Sequence, residues 1–124
     1  MVRILHPQEI QAFYILPAVR RAIALELKKK GMAQNKIAEL LGITPAAVTH
    51  YIQSKRAGEL KIDTKTMKEI HKIVRNAKTF NTIQAGTQHI IQHMWNERHV
   101  CCMCHDVNNT NISCTECFKP KENK

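Results

Sequence analysis

The residues with the most pointed chemistry are the cysteines. All five fall between positions 101 and 117, and four form two Cys-x2-Cys pairs, Cys101 with Cys104 and Cys114 with Cys117, separated by nine residues. Two such pairs can fold over one another as knuckles and present four sulfurs tetrahedrally to one ion, the ligand set of structural zinc and of iron–sulfur centres. The spacing therefore predicts a metal centre on Cys101, Cys104, Cys114 and Cys117, because thiolates grouped without a cation are costly. Zinc is the favoured occupant and an iron–sulfur cluster the alternative, since four-thiolate ligation serves both. Cys102 and His105 stand beside the first pair, and either is an alternative to one of its members. The x2 spacing favours Cys101 and Cys104, leaving a spare thiol and a solvent-facing or outer imidazole. Grouped cysteines of this kind suit a reducing compartment, which implies a cytoplasmic protein.

A second pointed segment runs from Gln34 to Gln53. Ala38 is small where a following helix must cross closely, Gly42 permits the positive φ of a tight turn, Thr44 is a good N-cap and Pro45 a good first-turn residue. Leu41, Ile43, Val48 and Ile52 supply the apolar side of the crossing. This is the pattern of a helix-turn-helix, whose second helix enters the DNA major groove with its flanks on phosphates. The outward positions are Ala46, Ala47, Thr49, His50 and Gln53. Gln53 suits adenine, and Thr49 with the alanine methyls suits a thymine methyl. Ser54, Lys55 and Arg56, just beyond, suit phosphate oxygens. Gln34 and Thr44, at the starts of the two helices, complete the expected DNA-facing set.

Charge agrees with that partner. The chain of 124 residues carries 19 Lys+Arg against 10 Asp+Glu, a net +9, which favours a phosphate-rich ligand such as double-stranded DNA. Residues 101–124 hold three Lys and three Asp+Glu, so the whole excess lies in residues 1–100. Four thiolates on a divalent ion would add about two negative charges to that neutral tail. The tail is thus expected to support folding or dimerisation, or to sense redox state or metal supply, rather than to touch DNA.

The run Gln34-x-x-Ile37-Ala38-x-x-Leu41-Gly42-Ile43-x-x-Ala46-x-Val48-x-x-Tyr51 resembles the lambda-repressor/Cro-like (XRE) regulators. Leu16-Pro17-Ala18-Val19-Arg20, Lys30-Gly31-Met32-Ala33-Gln34 and the stretch from Tyr51 to Arg56 are similar to small archaeal regulators with this domain and a cysteine-containing C-terminus. The resemblance covers most of residues 8–60 and the tail only loosely. It implies a dimeric, operator-binding repressor or activator.

The elements that must position these residues read as helices. Apolar residues from Ile10 to Leu27 recur at mostly helical spacing, and Pro17 divides them into a short helix ending near Leu16 and a second with Pro17 in its first turn. Lys28, Lys29 and Lys30 before Gly31 mark a C-terminal stop. Further helices are expected over residues 64–78 and 82–98. The first shows Met67, Ile70, Val74 and Ala77 on one face. The second carries Ile83, Ile90, Ile91, Met94 and Trp95, with Gln84, Gln88, Gln92 and Asn96 as a polar i, i+4 stripe.

The expectation is an all-α fold, with a helix-turn-helix DNA-binding domain over 1–62, a helical dimerisation segment over 63–100 and a four-cysteine metal-binding knuckle over 101–124. The apolar face of helix 82–98 is the expected seam of a homodimer. His89, His93 and Glu97 share a helical face, read as a polar face or seam before a metal site. No run approaches the roughly 20 apolar residues of a membrane span, and Met1 to Pro7 lacks a signal-peptide pattern. Without a His-Glu-x-x-His, a Gly-rich phosphate loop or a Gly-x-Ser-x-Gly motif, an enzyme is not expected. Thiol redox catalysis would sit beside a βαβ pattern, which is missing. The alternative class is a metal-knuckle module that docks on RNA or transcription proteins.

Overall fold

A computed structural model describes residues 6–53, 62–76 and 78–97, and every regular element among them is helical. These are α1 (Pro7–Ile10), a π-helical turn (Gln11–Ile15), α2 (Leu16–Lys29), α3 (Gln34–Leu41), α4 (Pro45–Gln53), α5 (Thr64–Arg75) and α6 (Phe80–Asn96). The all-α expectation holds for this part of the chain. None of these helices is long and apolar enough to cross a membrane.

The first segment corrects the expected break at Pro17. α1, the π-turn and α2 run on from Pro7 to Lys29, and the residues at both junctions keep right-handed helical backbone angles. Proline in a helix removes one N–H and crowds the carbonyl four residues back. Here the turn ahead of Pro17 is widened, and the Leu16 N–H reaches the Gln11 carbonyl five residues back. A π-turn absorbs the misfit at the cost of local regularity, so the helix continues where the proline pointed to a new start. At its beginning, His6 Nδ1 accepts from the Gln8 N–H at 3.1 Å and Glu9 Oε1 accepts from the His6 N–H at 3.1 Å.

The expected stop at Gly31 is present. Gly31 takes φ +85°, its N–H bonds the Lys28 carbonyl at 2.9 Å, and the Met32 N–H reaches back to Leu27 at 3.2 Å. Capping also sets the later helices. Asp63 Oδ1 accepts from the Thr66 N–H at 2.9 Å and starts α5, and Thr79 Oγ1 accepts from the Thr82 N–H at 3.2 Å and starts α6. Thr82 is therefore inside the first turn of α6 rather than its beginning.

The core is aliphatic. Ile10, Ile15, Val19, Ile23 and Leu27 line the buried side of the first long segment, against Ile37 and Leu40 from α3, Val48 from α4, Ile70 from α5 and Ile90 from α6. α5 and α6 cross at Gly86, where a Cβ would stand 2.6 Å from Ile73 Cγ1. Trp95 near the end of α6 donates its indole N–H to Gln11 Oε1 at 2.7 Å, closing the last helix onto the π-turn.

This packing overturns the expected seam. Ile90, Ile91 and Met94 are at most 4% exposed within a single chain, so the stripe is part of the chain's own core. The polar stripe of Gln84, Gln88, Gln92 and Asn96 is exposed, as expected.

Candidate nucleic-acid interface

α3 and α4 are joined by three residues, and each makes the turn in its own way. Gly42 sits at φ +69°, ψ +32°, in the left-handed region that costs other L-residues strain. Beyond it the Ile43 N–H returns to the Ala38 carbonyl at 3.0 Å. Thr44 Oγ1 then accepts from the Ala47 N–H at 3.1 Å, capping α4, and Pro45 opens the helix. Ala38 is 2% exposed and Val48 fully buried, so the two helices meet through a small residue and a branched one.

Burial then sorts the candidate residues on α4. Ala46, His50 and Gln53, at i, i+4 and i+7, are exposed on one side, with Thr44 at the helix start. Ala47 and Thr49 are half-buried at the margins of that face. Thr49 is also engaged within the chain: its hydroxyl accepts from Gln34 Nε2 at 2.5 Å and donates to the Pro45 carbonyl at 3.3 Å. Gln34 Nε2 donates to that same carbonyl at 2.8 Å. The Gln34 amide thus ties the start of α3 to the first turn of α4, which gives Gln34 and Thr49 a positioning part beside any contact of their own.

Two residues of α2 that the sequence reading leaves out of the site hold the other end of α4. Arg20 on α2 donates from Nη1 to the Tyr51 hydroxyl at 3.0 Å, with its guanidinium 5.8 Å from the centre of the Tyr51 ring. Arg21 Nε donates to the Ile52 carbonyl at 3.2 Å. The last carbonyls of a helix lack partners within it and carry partial negative charge, so a guanidinium there both satisfies and holds the end. The signal in the sequence was two adjacent arginines inside the apolar rhythm of Val19, Ile23 and Leu27. A helical residue at such a position must point its charge at a neighbouring element.

Electrostatically the exposed face of α4 is free of carboxylates, since no Asp or Glu occurs from Leu40 to Gly58. On α3, Glu39 faces Lys36 at 3.8 Å in an exposed pair of little energetic weight. Ser54, Lys55 and Arg56 lie outside the described residues, as do Cys101, Cys104, Cys114 and Cys117 with Cys102 and His105. Among the described residues no three His, Cys, Asp or Glu side chains gather as a metal site. That includes His89, His93 and Glu97, of which Glu97 stands 3.7 Å from Lys65.

Comparison with known proteins finds no family model, no curated protein and no solved structure that matches the chain. The likeness to lambda-repressor/Cro-like regulators rests on the quoted residues alone.

Proposed function

We propose that this protein is a sequence-specific DNA-binding transcriptional regulator in which α3 and α4 form a helix-turn-helix and α4 reads the major groove. The observation that carries the reading is the two-sidedness of α4. Val48 is fully buried while Ala46, His50 and Gln53 stand exposed together, and the helix is held at its start by Gln34 and at its end by Arg20 and Arg21. A reading helix must be fixed in this way, because base-edge hydrogen bonds discriminate only when their donors arrive at set positions.

In this reading the Gln53 carboxamide bonds adenine, His50 reaches a neighbouring base or phosphate, and the Ala46 and Ala47 methyls meet a thymine methyl. Ser54, Lys55 and Arg56 take phosphates. One short helix covers few base pairs, so the protein acts as a homodimer on two half-sites about 34 Å apart, roughly one helical turn. The dimer surface is then one other than the buried stripe of α6. The cysteine spacing supports zinc, or alternatively an iron–sulfur cluster, on Cys101, Cys104, Cys114 and Cys117.

The test is selection from a random duplex pool, followed by anisotropy titration of the recovered sequence and a scrambled one at several salt concentrations. A regulator of this kind recovers a two-fold related sequence and binds it on the order of 10³-fold or more above the scramble. Equal binding to both duplexes, or a preference for single-stranded RNA, overturns the reading.

A further inference from the structure

A cleft of about 440 Å³ opens between the first long helical segment and α6, within the roughly 300 to 1,000 Å³ usual for small-molecule sites. Its floor is apolar, with Leu16, Ile83 and Ile91. Its walls carry Arg20, Gln11, Asn81, Gln84 and Gln88, and no Asp or Glu lines it among the described residues. We infer that this cleft binds a small organic oxyanion, a carboxylate or phosphate ester, with Arg20 on the charged group and Gln84 and Gln88 on the polar body of the ligand.

Three observations carry the inference. Arg20 is half-buried and meets the Tyr51 hydroxyl through one N–H, and the cleft it lines offers no carboxylate, among the described residues, to its remaining donors. A guanidinium so placed favours an oxyanion, which takes two parallel N–H bonds from its planar fork. Gln11 has one lone pair of its carbonyl oxygen engaged by the Trp95 indole, which leaves its NH2 as a donor for a ligand.

The third is a contrast between neighbouring helices. The outward side of α5 carries Lys65, Lys68, Lys72 and Arg75, the ordinary charged face of a solvated helix. The outward side of α6 carries the carboxamides Gln84, Gln88, Gln92 and Asn96, with Ala85 and His89 exposed beside them and no Lys, Arg, Asp or Glu between Phe80 and Asn96. Carboxamides both donate and accept, so they read hydroxyl and carbonyl groups on a ligand without competing with Arg20 for its charge.

The test uses the full chain labelled with ¹⁵N and titrated with succinate and, separately, with inorganic phosphate, without DNA. Saturable shifts are expected at the Arg20 Nε–H and the side-chain amides of Gln84 and Gln88, with the Tyr51 ring moving as its hydrogen-bond partner is drawn away. Arg20→Met should raise the dissociation constant about tenfold or more. Gln88→Ala, at an exposed position that leaves the core intact, should raise it severalfold. Tighter binding of succinate assigns the oxyanion as a carboxylate, and tighter binding of phosphate as a phosphate ester. Shifts that never saturate, that are equal in both variants, or that appear only when duplex DNA is added overturn the site. Because the readout needs no DNA, its failure is distinct from failure of the DNA-binding reading.

Discussion

The ring of Phe80 stands against Gly42, so close that a Cβ at residue 42 would lie 2.5 Å from Phe80 Cε2. The contact joins the turn between α3 and α4 to the first residue of α6, elements 38 residues apart in sequence. Gly42 is therefore required twice, once by its φ of +69° and once by the ring above it.

Gly42→Ala should cost about 2 to 4 kcal/mol, combining left-handed strain with overpacking. Phe80 is 42% exposed, so its ring can be removed without opening the core. In a double-mutant cycle, Phe80→Ala in the Gly42→Ala background should recover the packing share and leave the backbone share. Chemical denaturation measures both, and strict additivity of the two changes would show that the ring and the turn are uncoupled.

Ile90→Ala tests whether α6 is core or seam. Ile90 is 2% exposed in the single chain, so its truncation should lower stability by about 2 to 5 kcal/mol. The unfolding midpoint should also shift by the same amount at every protein concentration. A shift that grows on dilution is the mark of an intermolecular contact and would return Ile90 to a dimer interface.

Thr66 is 1% exposed, and its hydroxyl has no hydrogen-bond partner among the described residues. Valine has nearly the same shape, so Thr66→Val should be neutral or stabilising by up to about 1 kcal/mol. A loss of more than that in thermal unfolding would mean that the hydroxyl is bonded.

The parts of the fold legible in the sequence are those fixed by near neighbours. Ala38, Gly42, Thr44 and Pro45 specify a crossing, a left-handed residue and a cap within eight positions, and each does so through its own backbone preferences. Gly31 ends α2 for the same reason. Pro17 misled because a proline's local penalty can be absorbed by the preceding turn, and what holds the helix together there is the burial of Ile10, Ile15 and Val19 on one side. The stripe on α6 misled differently. Amphipathicity states that a face is buried and leaves open against what, and here the stripe joins the chain's own core while Trp95 beside it is tied to Gln11, 84 residues away. The parts of Arg20 and Arg21 are not legible in the sequence because their partners, Tyr51 and Ile52, are 31 residues away.

On DNA the exposed and flanking residues of α4 should separate into two kinds. Gln53→Ala should lower discrimination between the selected duplex and a scramble by about 1 to 3 kcal/mol. Lys55→Ala and Arg56→Ala should weaken binding to both duplexes alike and reduce the salt slope by about one each. Gln34→Ala should behave like a reading variant, because α4 loses the tie to its first turn. Anisotropy titrations at several salt concentrations distinguish the classes, and intact discrimination in the Gln53 variant would move the reading face elsewhere.

The cysteines make the final prediction, which rests on spacing alone because they lie outside the described residues. Cys→Ser at Cys101, Cys104, Cys114 or Cys117 should each abolish a metal bound at one equivalent per chain, while Cys102→Ser should retain it. Losing one thiolate of four removes a ligand bond and opens the ion to water, whereas a spare thiol contributes neither. With zinc the protein is colourless, and a chelator should strip the ion while α1 to α6, held by the aliphatic core of their own residues, keep their helical signal. With an iron–sulfur cluster, anaerobic protein carries a visible absorption that bleaches on reduction. Elemental analysis of the five variants decides the ligand set: loss of metal with Cys102→Ser moves the site onto that residue, and a metal-free wild-type protein removes the site altogether.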